Sequence, residues 1–469
     1  MMRLISMEVK VSREEILRGN IYRTLIKLGL PLALSEMAQV LYDLANVFWL
    51  GRVGRDAVAA PSASWPIISV FIAAVSGLLA SGTALVSQYR GAGDEEGVKL
   101  SVGQVYTLAI TSSIAIASVG FLFTPGLMRI VGIPEDVLPY SISYARIFFV
   151  SIVFISLWES FRAVVSAAGN TVLPMKLNIL GIALNASLDP FLILGLGPFP
   201  MLGVTGAALS TLISRLIVSA ISMKLITSGI GGLKLERKYM TPQGKILKMM
   251  LKIGGPISIS WLMDGLGFTV LTAIISMEGS AALAAWGIGD RPMNLMHFAV
   301  IGFIEATSIM VGQSLGAEDL KRAREIAKKT IKIVAAIGAG GGFIFAAFGK
   351  YIASFFIDDP EVVGLAAQFS LYMGSSIVFF EFIQLMASIA QGSGHTRFMM
   401  IISLTRIWLI RNLLAYLLGP GPVGLGAKGI WMGMSLSNLI AGSIAVAWVL
   451  KGKWWKPIIK DDKEKIATL

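Results

Sequence analysis

Apolar residues run through this chain in blocks of about twenty, divided by short polar stretches. A helix of that length crosses the ~30 Å hydrocarbon layer of a bilayer. Twelve such blocks stand out, at 30–51, 64–87, 103–125, 139–164, 175–196, 204–227, 254–277, 287–312, 330–349, 366–390, 397–418 and 429–450. Lipid offers no partner to a free backbone N–H, which makes helices the form these spans must take. The alternating pattern of a membrane barrel strand is absent.

The pattern also repeats. KLGLP (27–31) returns as KIGGP (252–256), QYRGAGD (88–94) as QSLGAED (313–319), and AAGNT (167–171) as GSGHT (392–396), each 225 residues on. GVTG (203–206) returns as GAKG (426–429) after 223. The expected fold class is therefore an all-α membrane protein, with twelve transmembrane helices in two pseudo-symmetric six-helix bundles. Residues 1–228 form the first bundle, 229–250 a cytoplasmic linker, 251–451 the second bundle and 452–469 a cytoplasmic tail. Each half has an even number of spans, so the two enter the membrane from the same side and are related by an axis along its normal.

Charge sets the orientation. Lys and Arg crowd 229–252, 314–332 and both ends, whereas the turns 197–203 and 278–284 have none. By the positive-inside rule both termini face the cytoplasm, and the chain is a multi-pass protein of the cell membrane. The first residues, MMRLISMEVKVSREEILRGNIYRTL, lack the compact apolar core and small-residue cleavage site of a leader and read as an amphipathic entry to span 1.

Composition narrows the chemistry. Hydrophobic residues make up 55% and charged residues 14%, against about 25% charged in soluble domains. The net charge of +12 follows the loops and is not interleaved with stacking aromatics, which argues against a nucleic-acid partner. There is no cysteine and there are two histidines, His297 and His395, so thiolate and multi-His metal centres are excluded. No P-loop and no nucleophile–base set is present, and the chain does not read as an enzyme.

What the spans do hold is charge, at a cost of ~2.5 to more than 10 kcal/mol per ionised group at mid-bilayer. The acids are Glu36, Asp43, Glu159, Asp189, Asp264, Asp290, Glu305 and Glu381, and the bases Arg146, Arg162, Arg215, Arg291, Arg406 and Arg411. Asp189 in span 5 has Asn185 one turn before it on the same face and Pro190 after it, which removes a donor and is expected to kink the helix. A carboxylate, an amide and freed carbonyls then suit Na⁺ or H⁺; alternatively, the pair caps a broken helix. In span 1, Glu36 and Asp43 share one face, as do Tyr42 and Asn46. Glu159 and Arg162 are spaced to pair. Asp290-Arg291-Pro292 in span 8 suits a kink or a gate. Pro31 and Pro256 fall at equivalent places in the first span of each half and suit hinges or static bends. The 22 Met are compatible with an adaptable binding surface.

Over nearly its whole length the sequence resembles the MATE (multidrug and toxic compound extrusion) family. The residues that carry the likeness are LGLPLALSEMAQVLYDLANVFWLG, QYRGAGD, LNASLDPFLILGLG and QGSGHTR, with the duplicated layout. The resemblance implies alternating access and export of amphipathic organic cations in exchange for Na⁺ or H⁺, with no other cofactor. The partners are small organic substrates and membrane lipid, and the protein is expected to be a monomer. It places Asn185 and Asp189 in a first-half cation cluster, with Tyr42, Asn46, Asp43, Glu36, Tyr144 and Thr211 around them. Many members carry an acid where this chain has Asn46; here the acid stands three residues earlier, at Asp43. The second half matches at Asp264 and Glu381, with Asp290 and Arg291 nearby; either acid can instead pair with an arginine. Na⁺ would sit at Asp189/Asn185 or at Asp264/Glu381. In the family the first-half proline, here Pro31, is linked to bending on ion binding. A lipid-linked precursor or polysaccharide flippase of the same superfamily is the alternative, but such proteins often have extra spans and a cationic cavity, and here acids outnumber bases. A membrane scaffold or receptor leaves the intramembrane acids without a purpose.

Overall fold

The computed structural model describes residues 11–459; residues 1–10 of the entry stretch and 460–469 of the tail lie outside the described residues. Among the described residues, twelve helices are long and apolar enough to cross a membrane. They are α1 (Ile21–Gly51), α2 (Arg55–Ala92), α3 (Glu95–Ile130), α4 (Leu138–Ala167), α5 (Val172–Leu194), α6 (Gly203–Ser228), α7 (Gly244–Ser276), α8 (Ser280–Gly316), α9 (Leu320–Phe356), α10 (Pro360–Ser393), α11 (Thr396–Leu418) and α12 (Ala427–Lys451). No strand occurs among the described residues. Large apolar side chains such as Phe123, Phe343 and Phe355 are exposed on the helices, as contact with hydrocarbon requires.

The helices outrun the apolar blocks. α1 starts at Ile21 and α7 at Gly244, because polar residues beyond the hydrocarbon continue a helix once its first N–H groups are capped. The repeated motifs supply such caps. Asp94 accepts the Gly97 N–H at 2.9 Å at the start of α3, and its repeat mate Asp319 accepts the Arg322 N–H at 2.9 Å at the start of α9. Gly93 ends α2 in the left-handed region (φ 72°), and Glu318 takes the same place before α9 (φ 61°), a conformation that costs a non-glycine residue ~1 kcal/mol or more. The GAGD-type motifs are thus inter-helix corners. Pro190 does not break its helix: α5 runs through it to Leu194 and ends at Gly195. The irregular helix is α11, whose middle, Thr405–Asn412, widens into a π-helix.

The chain forms two compact units. One holds the described residues up to Glu15 and Leu34–Ser258; the other holds Ile16–Ala33 and the described residues from Ile259 onward. Two of the three borders fall inside α1 and α7, each three residues past a proline, Pro31 and Pro256, and the 229–250 segment lies within the first unit. That segment is tied to α3 within the first unit: Gln104 donates to the Tyr239 and Thr241 carbonyls at 2.7 and 2.8 Å, and Thr107 to that of Met240 at 2.7 Å.

Backbone approaches mark the exchanged segments. In the second unit a Cβ added at Gly302 of α8 would stand 2.2 Å from the Gly29 carbonyl of α1. In the first unit one added at Gly77 of α2 would stand 2.4 Å from the Ser258 nitrogen of α7, and one at Gly254 would stand 2.6 Å from the Leu78 Cα. Gly29 and Gly254, and likewise Gly77 and Gly302, are 225 residues apart. The duplication has thus built the same close helix crossing twice, through the small residues that let helix backbones meet in lipid.

Candidate functional site

In the first unit, α1, α5 and α6 bring together a cluster of oxygens. Asn185 and Asp189 lie one turn apart on α5, and both are buried. Asn185 donates to Thr211 Oγ1 and Ser214 Oγ of α6, each at 3.2 Å. Ser210 donates to Asp189 Oδ1 at 2.5 Å. From α1, Tyr42 hydrogen-bonds Thr211 and accepts from Asn46 Nδ2 at 3.3 Å. Tyr144 of α4 is buried and close enough to Asp189 and Asp43 to feel their charges.

The cluster is short of donors. Asn46 Oδ1, Asn185 Oδ1 and Asp189 Oδ2 are buried with no hydrogen-bond donor among the described residues. Buried acceptors without partners are costly, and a proton, a small cation or water can satisfy them. The set is all oxygen, which suits a hard cation. Among the described residues no group of three or more His, Asp or Glu could hold a metal ion.

Asn46, and not Asp43, belongs to this bonded set. Asp43 is exposed and accepts from Gln39 Nε2 at 3.0 Å. Gln39 Oε1 accepts from Arg215 at 3.2 Å. Glu36 is half-buried on α1, and the bonds just described do not pass through it. Glu159 and Arg162 pair at 2.8 Å, as their spacing suggests.

The second-half acids are held separately, each by its own partner. Asp264 of α7 lies 3.5 Å from Arg406 of α11 and 3.5 Å from Ser403. Glu381 of α10 is 1% exposed, and His297 Nδ1 of α8 stands 3.1 Å from both of its carboxylate oxygens. Of the two second-half acids, Asp264 thus has an arginine beside it, as the sequence allowed, and Glu381 has the imidazole of His297. Asp290 takes a 2.8 Å bond from Asn294, and Arg291 is exposed. The π-helical part of α11 carries the buried Arg406 and Arg411; Arg411 bonds Ser437 at 3.1 Å and Asn438 at 2.5 Å.

Reading the spans by their acids passed over His297, Arg215, Ser210 and Ser214. A signal for the α6 residues was present: Ser210, Thr211, Ser214 and Arg215 make a polar stripe at helical spacing in an otherwise apolar span.

The profile of one protein family, MatE, matches residues 31–191 and 256–417. The probable multidrug resistance protein YoeA of Bacillus subtilis (strain 168) is 27% identical over 420 residues, covering 89% of this chain and 90% of its own. A FAD transporter of Shewanella oneidensis is 24% identical over 430 residues, covering 92% and 94%. Among solved structures, one described as the outward-facing conformation of a multidrug resistance MATE family transporter superposes with a TM-score of 0.86 at 22% identity, over 94% of this chain and 98% of that one.

Proposed function

Because the chain belongs to the MatE family, we propose that it is a secondary active antiporter, exporting amphipathic organic compounds in exchange for Na⁺ or H⁺ by alternating access. Members of the family are transporters and not enzymes. The observation that carries the coupling is the set of three donorless oxygens on Asn46, Asn185 and Asp189. A cation entering there neutralises the Asp189 carboxylate. An organic cation drawn to the same carboxylate then loses its counter-charge and is released. Exchange follows because one buried negative charge serves two cations in turn.

The same cluster links binding to movement. Tyr42 and Asn46 are on the part of α1 that follows Pro31, and the unit border falls at Leu34. A hinge at Pro31 would let that part of α1 answer the cation while Ile21–Leu30 stays with the other unit; Pro256 has the equivalent place in α7. Both termini are read as cytoplasmic from the basic loops. The relatives' names, multidrug resistance for one and FAD transport for another, support small organic solutes as cargo. The flippase reading has no such support.

The test is competition on purified protein. Fluorescence titration with ethidium, a lipophilic cation, should show binding that weakens as Na⁺ rises at fixed pH, or as pH falls in Na⁺-free buffer at constant ionic strength. Ethidium bound equally tightly across both series would overturn antiport at this site.

A further inference from the structure

Outside the oxygen cluster, five polar side chains of the first unit form one continuous chain. Arg215 of α6 donates from Nη2 to Gln39 Oε1 at 3.2 Å and from Nη1 to Asn178 Oδ1 at 3.3 Å. Gln39 passes the direction on, donating to Asp43 Oδ1 at 3.0 Å. Asn178 of α5 does the same, donating to Ser35 Oγ at 2.9 Å. Every amide in this chain accepts from the guanidinium and donates outward, so one positive charge polarises both arms, and a carboxylate, Asp43, closes one of them.

The arrangement has a mechanical meaning. Ser35, Gln39 and Asp43 recur every four residues and line one face of α1 just past Pro31. Tyr42 and Asn46, the α1 members of the oxygen cluster, are one and three residues from Asp43 on the adjoining face. Arg215 lies one residue past Ser214 and four past Thr211, which bind Asn185. The guanidinium therefore fastens the same stretch of α1 that supplies Tyr42 and Asn46 to the same helix, α6, that orients Asn185. Asp43 is joined to Arg215 through Gln39.

We infer that Arg215 is a positioning residue, a latch that holds the post-proline segment of α1 against α5 and α6 and so keeps Tyr42 and Asn46 beside Asp189. The planar fork is essential, because one group must reach Gln39 and Asn178 at once; an ammonium group supplies the charge without that geometry. The inference rests on the cation site proposed above, and its test is separable from it.

The chain has no cysteine, so a Val47→Cys, Val150→Cys pair on α1 and α4 gives two clean sites for nitroxide labels. Electron–electron distance measurement on the purified full chain without Na⁺ at high pH should give one narrow distribution. Adding Arg215→Met, or Gln39→Leu if that variant does not fold, should broaden the distribution or add a second peak. Arg215→Lys should behave like Arg215→Met. In parallel, the cation concentration that half-displaces ethidium should rise about tenfold or more, within the usual range of couplings between sites. An unchanged distribution in Arg215→Met, or a lysine variant with the parent distribution and the parent half-displacement, overturns the latch. Failure of any cation to displace ethidium from the parent protein would instead sink the antiport reading, and the distance result would still decide the latch.

Discussion

Asp189→Asn is expected to lose cation-coupled efflux by on the order of 100-fold, equivalent to about 2.7 kcal/mol, with thermal stability at or above that of the parent. The amide matches the carboxylate in shape, and its oxygen still accepts from Ser210, so the packing between α5 and α6 survives. Its nitrogen replaces Oδ2, which has no donor among the described residues, with a donor. The variant supplies internally what the cation supplies in the parent and has no charge left to exchange. Efflux and melting temperature measured on the same preparation separate this from misfolding. Normal coupled efflux in Asp189→Asn would make Asp189 a structural cap.

Gly302→Leu should be the most damaging packing change, lowering stability by about 3 kcal/mol or more and abolishing transport with it. The first added carbon alone would lie 2.2 Å from the Gly29 carbonyl and 2.9 Å from Ala33 Cβ, and neither the backbone nor a methyl group can yield. Gly77→Leu should behave alike in the other unit, against Ser258. Gly340→Leu, whose added carbon would meet nothing within 4 Å, is the control and should melt near the parent. Equal melting temperatures for Gly302→Leu and Gly340→Leu would contradict the crossing of α1 and α8 described here.

Much of this architecture was legible in the sequence because lipid leaves few choices. An apolar block of twenty residues has to be a helix, and twelve of them with a 225-residue echo have to be two related halves. The ends were less legible: Arg23 and Lys27 close the apolar block, yet α1 continues through them to Ile21. The exchange of segments past Pro31 and Pro256 could not be read, since a repeat in sequence says nothing of which neighbour each helix end packs against. In the site, Asn185 and Asp189 were readable as one face of one helix. Asp43 is the acid nearest the family position, and its bond from Gln39 is local to α1, but the link from Gln39 to Arg215 depends on how α6 is turned. Ser210 and Ser214 were silent because serines in apolar helices commonly bond their own backbone carbonyls, as Ser210 does to Gly206 while also holding Asp189. His297 was a lone histidine in an apolar span, and nothing in its neighbourhood in sequence points to Glu381, 84 residues on.

The most direct test is flux through the protein reconstituted in liposomes, loaded with ethidium and DNA as a fluorescence reporter. With an imposed inward-to-outward difference in Na⁺ or, separately, in H⁺, ethidium should move against the cation gradient and stop when that gradient is dissipated, and Asp189→Asn should show neither movement nor its gradient dependence. Ethidium movement that is indifferent to both gradients, or that is equally coupled in Asp189→Asn, would contradict antiport through the Asn46–Asn185–Asp189 cluster.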